Sequence, residues 1–269
     1  MNPLDLITET YNRKARLYPA LLLITPIIVT AVTLFSVKIL EAKSIVASIG
    51  SIGGAFLLTQ LARDAGKKRE PLLFNIWGGM PSVSIFRHRD TRLDSITKAR
   101  YHKLLSAQVN GTKAPTIGEE QENPALADGI YKAWSHYLRV NTRDTKKFSL
   151  LFHENVNYGY RRNTWGLRPI GISISLLCTI SSGARLWYIP NTTGQLGQEI
   201  MGALGLSILF VALWLFRFTT DWVRVPADAY AERLAESVEN ICKPSDAKKK
   251  ERTTTSSLPK TPSGGSGSR

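Results

Sequence analysis

Apolar and polar positions along this chain fall into long blocks rather than alternating, and the blocks set the elements. Residues 17–37 carry no charge, enough helix for a hydrocarbon core of ~30 Å. Pro26 is expected to kink this span, with hydroxyls such as Thr25 taking up a freed carbonyl. A second apolar stretch, residues 45–62, is shorter and richer in small residues, and follows a polar apex of Lys38, Glu41 and Lys43. A third, residues 167–189, ends in Trp187 and Tyr188, side chains suited to an interface. A fourth, residues 200–216, stops at Arg217, with Trp214, Phe218 and Trp222 as a second aromatic belt. The pattern predicts an all-α membrane protein with four transmembrane helices arranged as two hairpins.

Between the second and third spans lie about 105 residues, long enough for a domain. Around Gly78-Gly79-Met80-Pro81 the alternation of Phe74/Ile76 and Val83/Ile85 fits either a short β-hairpin or a sharp turn. Beyond it the periodicity is helical. Leu93, Ile96, Arg100 and Leu104 mark one face, leaving Arg92, Lys98 and Lys103 to water. A loop over residues 110–122 follows. Asn123 and Pro124 then supply an N-cap and a first helical position for a helix with Leu126, Ile130, Trp134, Tyr137 and Leu138 as its buried stripe. A third helix uses Phe148, Leu151, Phe152 and Val156 and is expected to end near Gly159. Past the fourth span, Pro226 permits a new helix with Ala231, Leu234, Val238 and Ile241 on one face. That face needs a partner, and Glu232, Glu236 and Glu239 argue against a membrane surface.

The expected organisation is therefore a cytoplasmic segment (1–16), a transmembrane hairpin (17–62), a basic, mainly helical cytoplasmic domain (63–166), a second hairpin (167–217), a C-terminal amphipathic helix (218–242) and a disordered tail (243–269) whose GGSGSR end reads as an appended linker.

Charge supplies the orientation. The chain has 35 Lys and Arg against 21 Asp and Glu, a net +14, which excludes a small acidic enzyme. Arg13, Lys14 and Arg16 precede the first span and 19 Lys and Arg lie in residues 63–168, whereas the other connections hold only Lys38, Lys43 and Arg185. The positive-inside rule then puts both termini and the large domain in the cytoplasm, with the first span retained rather than cleaved. Lys67, Lys68 and Arg69 can sit at anionic headgroups.

Catalysis and cofactors are not expected. Cys178 and Cys242 are too few for a disulfide framework, and His88, His102, His136 and His153 lack metal-ligand spacing. There is no GxSxG elbow, and Gly78-Gly79-Met80-Pro81-Ser82 lacks the lysine of a phosphate loop. The more suggestive feature is basic. Arg87, His88, Arg89 and Arg92, followed by Lys98, Arg100 and Lys103, are answered by Arg143, Lys146, Lys147, Arg161 and Arg162. Guanidinium forks bind phosphate oxygens, and Tyr101, His102, Tyr158 and Tyr160 are available to stack bases, so a nucleotide or short single strand is a candidate ligand. The plainer alternative is headgroup attraction with internal pairs such as Arg89 with Asp90 or Arg143 with Asp144.

Within the spans, Gly50 and Gly54 form a GxxxG motif that permits close helix packing. Thr30 and Thr33 in the first span, Ser44, Ser48 and Ser51 in the second, and Ser175, Thr179 and Ser182 in the third either bond helix to helix or line a wet path. Arg185 either snorkels to the interface or forms a cationic ring at the mouth of an oligomeric pore.

Three stretches, LLTQLARDAGKKREPLLFNIWGGMPS, FRHRDTRLDSITKARYHKLL and RDTKKFSLLFHENVNYGYRRNTWGLRP, resemble a family of uncharacterised bacterial inner-membrane proteins. The arrangement is similar to membrane effectors of anti-phage systems that pair a nucleotidyltransferase with a channel, the Hailong type among them. The resemblance implies a homo-oligomeric pore in the bacterial inner membrane, gated by a nucleotide or oligonucleotide on the basic domain. The competing class is a non-conducting scaffold or sensor that recruits a cytosolic partner.

Overall fold

A computed structural model describes residues 10–35, 52–188 and 195–242. Among them the fold is entirely helical: a π-helical turn (Asn12–Leu17) running into α1 (Tyr18–Phe35), then α2 (Ile52–Ile76), α3 (Pro81–Ser84), α4 (Ser95–Gln108), α5 (Ile117–Glu122), α6 (Pro124–Asn141), α7 (Ser149–Tyr188), α8 (Gln195–Ala212) with a second π-helical turn (Leu213–Arg217), α9 (Thr220–Glu236) and α10 (Val238–Ile241). The described residues form two compact units, one within Met1–Pro81 and Phe148–Tyr230, the other within Ser82–Lys147 and Ala231–Arg269. We call them the span unit and the basic unit.

Three of the described helical stretches are long and apolar enough to cross a membrane: Asn12–Leu34, Ser149–Tyr188 and Gly197–Arg217. The expected count of four is not reached. Residues 36–51, which hold the apex, Ser44, Ser48, Gly50, Ser51 and the start of the second stretch, lie outside the described residues, as does the tail from residue 243. Helix α2 does not stop at Ala62 but continues through Lys67, Lys68 and Arg69 to Ile76, so charge dilutes its apolar character. Large apolar side chains face outward along the spans, among them Ile27, Ile28, Val32, Leu177, Ile180, Met201, Ile208 and Leu209, as a lipid environment permits.

Helix α7 is the axis of the span unit and packs against α1, α2 and α8. It runs unbroken for 40 residues, so the expected helix end near Gly159 and the separate third span are one element. Three of its glycines are contact points rather than stops, Gly159, Gly166 and Gly171: a Cβ on Gly166 would lie 2.5 Å from the Gly66 backbone nitrogen, and one on Gly171 would lie 2.2 Å from the Trp214 indole. Close backbone approach compensates for glycine's helix cost. Pro26 and Pro226 likewise lie inside helices, and α9 begins six residues before Pro226, where Thr219 Oγ1 accepts from Trp222 N at 3.2 Å. Thr25 Oγ1 donates to Leu21 O at 2.8 Å.

At the end of α2 no hairpin forms. Gly78 (φ 73°) and Gly79 (φ 141°) reverse the chain, with Gly79 N donating to Phe74 O at 2.8 Å as in a Schellman closure.

The basic unit packs around Phe86, Tyr131, Trp134, Leu105 and Leu138, all fully buried. Phe86 meets Trp134 edge-on at 6.0 Å, and Trp134 Nε1 donates to Thr112 Oγ1 at 3.0 Å. Asn123 caps α6 as expected, accepting from Leu126 N at 3.1 Å. On α6 Trp134 and Leu138 are buried as expected, but Ala127 and Tyr131 complete the face and Leu126 is 65% exposed; on α4 the buried face is turned from expectation, with Lys98, Tyr101, His102 and Leu105 inward and Ile96 81% exposed. The loop over residues 110–122 contains α5, closed by a capping box between Thr116 and Glu119. Ala231, Leu234 and Val238 are fully buried, and α10 packs on α4 and α6.

Candidate functional site

The loop after α3 carries Arg87, His88, Arg89 and Asp90, and the residue that shapes it is Lys98. Read from spacing, Lys98 faces water; in the fold it is 5% exposed. Its ammonium donates to Arg87 O at 2.9 Å, to His88 O at 3.4 Å and to Asp90 O. One charged donor thus gathers three carbonyls, much as a bound cation would. Burial lowers the Lys98 pKa, opposed by the nearby Asp90 carboxylate.

Two carboxylates fix the other side of the loop. Arg87 forks onto Asp128, Nε to Oδ1 at 2.7 Å and Nη2 to Oδ2 at 2.6 Å, and this bond holds the guanidinium pKa above its ordinary value. Glu120 Oε2 accepts from His88 N at 3.0 Å and from Tyr131 Oη at 2.7 Å. Burial, reinforced by Glu120, raises the Tyr131 pKa. His88 Nε2 lies 2.8 Å from Pro115 O. Between these groups opens a cavity of about 450 Å³ lined by Arg87, His88, Arg89, Ile117, Glu120, Gln121, Pro124 and Asp128. Arg89 is exposed at its rim and, among the described residues, has no ion pair. The cleft is mixed in charge, with apolar walls at Ile117 and Pro124.

The expected basic cluster is thus partly spent on internal pairs, though not the two anticipated. Arg92, not Arg89, pairs with Asp90, Nη2 to Oδ2 at 2.6 Å, and also reaches Ser84 Oγ at 2.9 Å. Burial opposes the Asp90 charge, but the Arg92 bonds outweigh it and the carboxyl pKa is lowered. Arg100 pairs with Glu239. Asp144 accepts from Lys146 N at 2.9 Å and Lys147 N at 3.1 Å, capping the turn before α7 rather than holding Arg143. Arg143, Lys146 and Lys147 are exposed and do not line the cleft. Nor do the anticipated stacking residues: Tyr101 and His102 are buried, and Tyr158 and Tyr160 belong to the span unit with Arg161 and Arg162.

In the span unit, Arg162 is 4% exposed and donates to Glu70 Oε1 at 2.9 Å. Arg161 Nη1 donates to Trp222 O at 2.8 Å. Thr30 Oγ1 lies 3.5 Å from Ser207 Oγ across α1 and α8. Thr33 Oγ1 donates to Val29 O at 3.1 Å and Thr179 Oγ1 to Ser175 O at 2.9 Å, each within its own helix. Ser175 and Ser182 are fully buried. Arg185 is exposed near the end of α7, beside the equally exposed Trp187 and Tyr188. Gly54 lies in the first turn of α2.

Sequence reading missed Lys98 as an organiser and Glu120, Gln121 and Asp128 as cleft residues. The Thr116-x-x-Glu119 capping box was a legible signal for α5, which brings Glu120 to the site; nothing in the spacing announces Asp128 as the partner of Arg87. No protein-family model matches this sequence, and no curated protein or solved structure matches it.

Proposed function

We propose that this chain is a ligand-responsive membrane effector of the bacterial inner membrane, with its termini and basic unit in the cytoplasm. The basic unit takes a nucleotide or short oligonucleotide in the Arg87–Asp128 cleft, and copies of the chain assemble through their spans into a pore that the ligand gates. The observation that supports this reading best is the cleft itself: a cavity of about 450 Å³ on a loop pre-shaped by Lys98, with the exposed Arg89 among its lining residues and, among the described residues, in no ion pair. Arg89 suits a phosphate oxygen, while Glu120 and Asp128 suit the amino edge of a base, a division of labour that mixed charge permits and a purely basic groove does not. Gating requires that the ligand prefer one state. Anti-phage defence is the setting that the architectural resemblance suggests.

A second reading has its own observation. Ser175, Ser182 and Ser207 are buried, while the large side chains exposed along the spans are mostly apolar, the arrangement of helices that anchor rather than conduct. Ligand binding would then switch recruitment of a cytosolic partner. Ion flux in vesicles holding the purified protein separates the two. The pore reading expects flux that depends on nucleotide; binding of nucleotide with no flux would select the scaffold.

A further inference from the structure

The second π-helical turn sits where the apolar stretch Gly197–Arg217 ends, and its irregular backbone is held from the side. Arg168 donates from Nε to Trp214 O at 2.9 Å and from Nη2 to Leu215 O at 3.0 Å. The next cation, Arg217, is exposed and lies 5.3 Å from the centroid of the Trp222 ring. Arg161 lies 5.1 Å from the centroid of the same ring, close enough for the two guanidinium groups to repel each other. Two cations therefore share one indole at the end of a membrane-spanning stretch. Among the described residues neither forms an ion pair; the carboxylate acting on Arg161 is Glu154, at a distance.

Juxtaposed like charges need an anion or a high-dielectric surface to offset their repulsion, and two guanidinium groups gathered at one side chain carry donors that suit the oxygens of a phosphate. Phe216, next to Arg217, is 79% exposed, an apolar surface that a phosphate ion in water would not cover but an acyl chain would. We propose that Arg161 and Arg217, gathered around the Trp222 indole, form a binding site for the phosphate of an anionic lipid headgroup. The site belongs to the span unit and is separate from the Arg87–Asp128 cleft. Its lipid ties the end of the last span to α7, on which Arg161 lies.

The test is native mass spectrometry of the full-length protein in neutral detergent, titrated with phosphatidylglycerol, with phosphatidylcholine, or with inorganic phosphate. The expected result is retention of phosphatidylglycerol over phosphatidylcholine, weakened about tenfold or more in Arg217→Gln. Arg217 is exposed, so that variant keeps the fold. Arg161→Lys, which keeps the charge and loses the fork, is expected to fall between wild type and Arg217→Gln. Phosphatidylglycerol retention unchanged in Arg217→Gln overturns the site. Equal occupancy by inorganic phosphate, with no preference for the lipid, keeps an anion site but overturns its assignment to lipid.

Discussion

The Arg162 guanidinium donates from Nη1 to Glu70 Oε1 at 2.9 Å, joining α7 to α2. Tyr158 Oη donates to the same oxygen at 2.8 Å and Lys67 Nζ to the other at 2.9 Å. With the Arg162 side chain 5% exposed and that of Glu70 14%, the pair is one that cannot lose a single member cheaply.

Glu70→Leu alone leaves the buried Arg162 charge without its carboxylate and is expected to cost about 3 kcal/mol or more, whereas Arg162→Met leaves Glu70 with Lys67 and Tyr158 and should cost less. The double variant removes both charges and should recover more than half of the Glu70→Leu loss. Thermal unfolding of the three proteins in one detergent measures it; additive losses would mean that the two side chains do not act as a pair.

Gly166→Ala drives a methyl group into the Gly66 backbone, with nitrogen at 2.5 Å and Cα at 2.6 Å. Backbone cannot yield as a flexible side chain can, so a loss of about 2 kcal/mol is expected. Gly183→Ala, on the same helix with nothing within 4 Å of its Cβ position, should leave stability unchanged or slightly raised. Equal effects of the two substitutions on the unfolding temperature would refute the close α2–α7 crossing.

His102 makes the basic unit sensitive to mild acid. Its Nε2 lies 2.8 Å from Phe86 O, and burial pushes its pKa from 6.5 down to about 4. Between those values the unfolded chain binds a proton that the folded chain does not, so stability falls as pH drops from about 6.5 to about 4, by at most about 3 kcal/mol. His102→Gln keeps a donor for Phe86 O and should flatten this slope. Denaturant unfolding at a series of pH values tests it, and an identical slope in the variant would assign the effect elsewhere.

Long uncharged runs made three of the four expected spans readable, because a bilayer demands them whatever the packing. The N-cap of α6 was readable because Asn-Pro acts locally. What sequence misjudged were places where tertiary contact overrides a local rule. Gly159 looks like a stop, yet α7 runs through it to Gly166, which is required where α7 crosses Gly66. Lys98 has the spacing of a solvated cation, but three loop carbonyls need its charge. The basic run was legible as charge; its division into spent pairs and an exposed Arg89 was not, since Arg92 finds its acid two residues away and Arg100 finds Glu239, 139 positions on.

Lys98→Met leaves every cleft side chain in place and removes the donor to the loop carbonyls, which then sit buried and underused at about 1–3 kcal/mol. Nucleotide affinity should fall about tenfold while Arg89 remains present. A variant that binds as wild type would show that Lys98 does not shape the cleft.

The decisive measurement is equilibrium binding of a nucleotide and trinucleotide panel to the purified full-length protein in detergent, comparing wild type with Arg89→Glu. Arg89 is exposed, so the variant should fold as wild type does. Saturable binding of at least one compound, reduced tenfold or more in Arg89→Glu, is the result expected if the cleft is the sensor. Absence of binding across the panel, or binding that Arg89→Glu leaves unchanged, would contradict it.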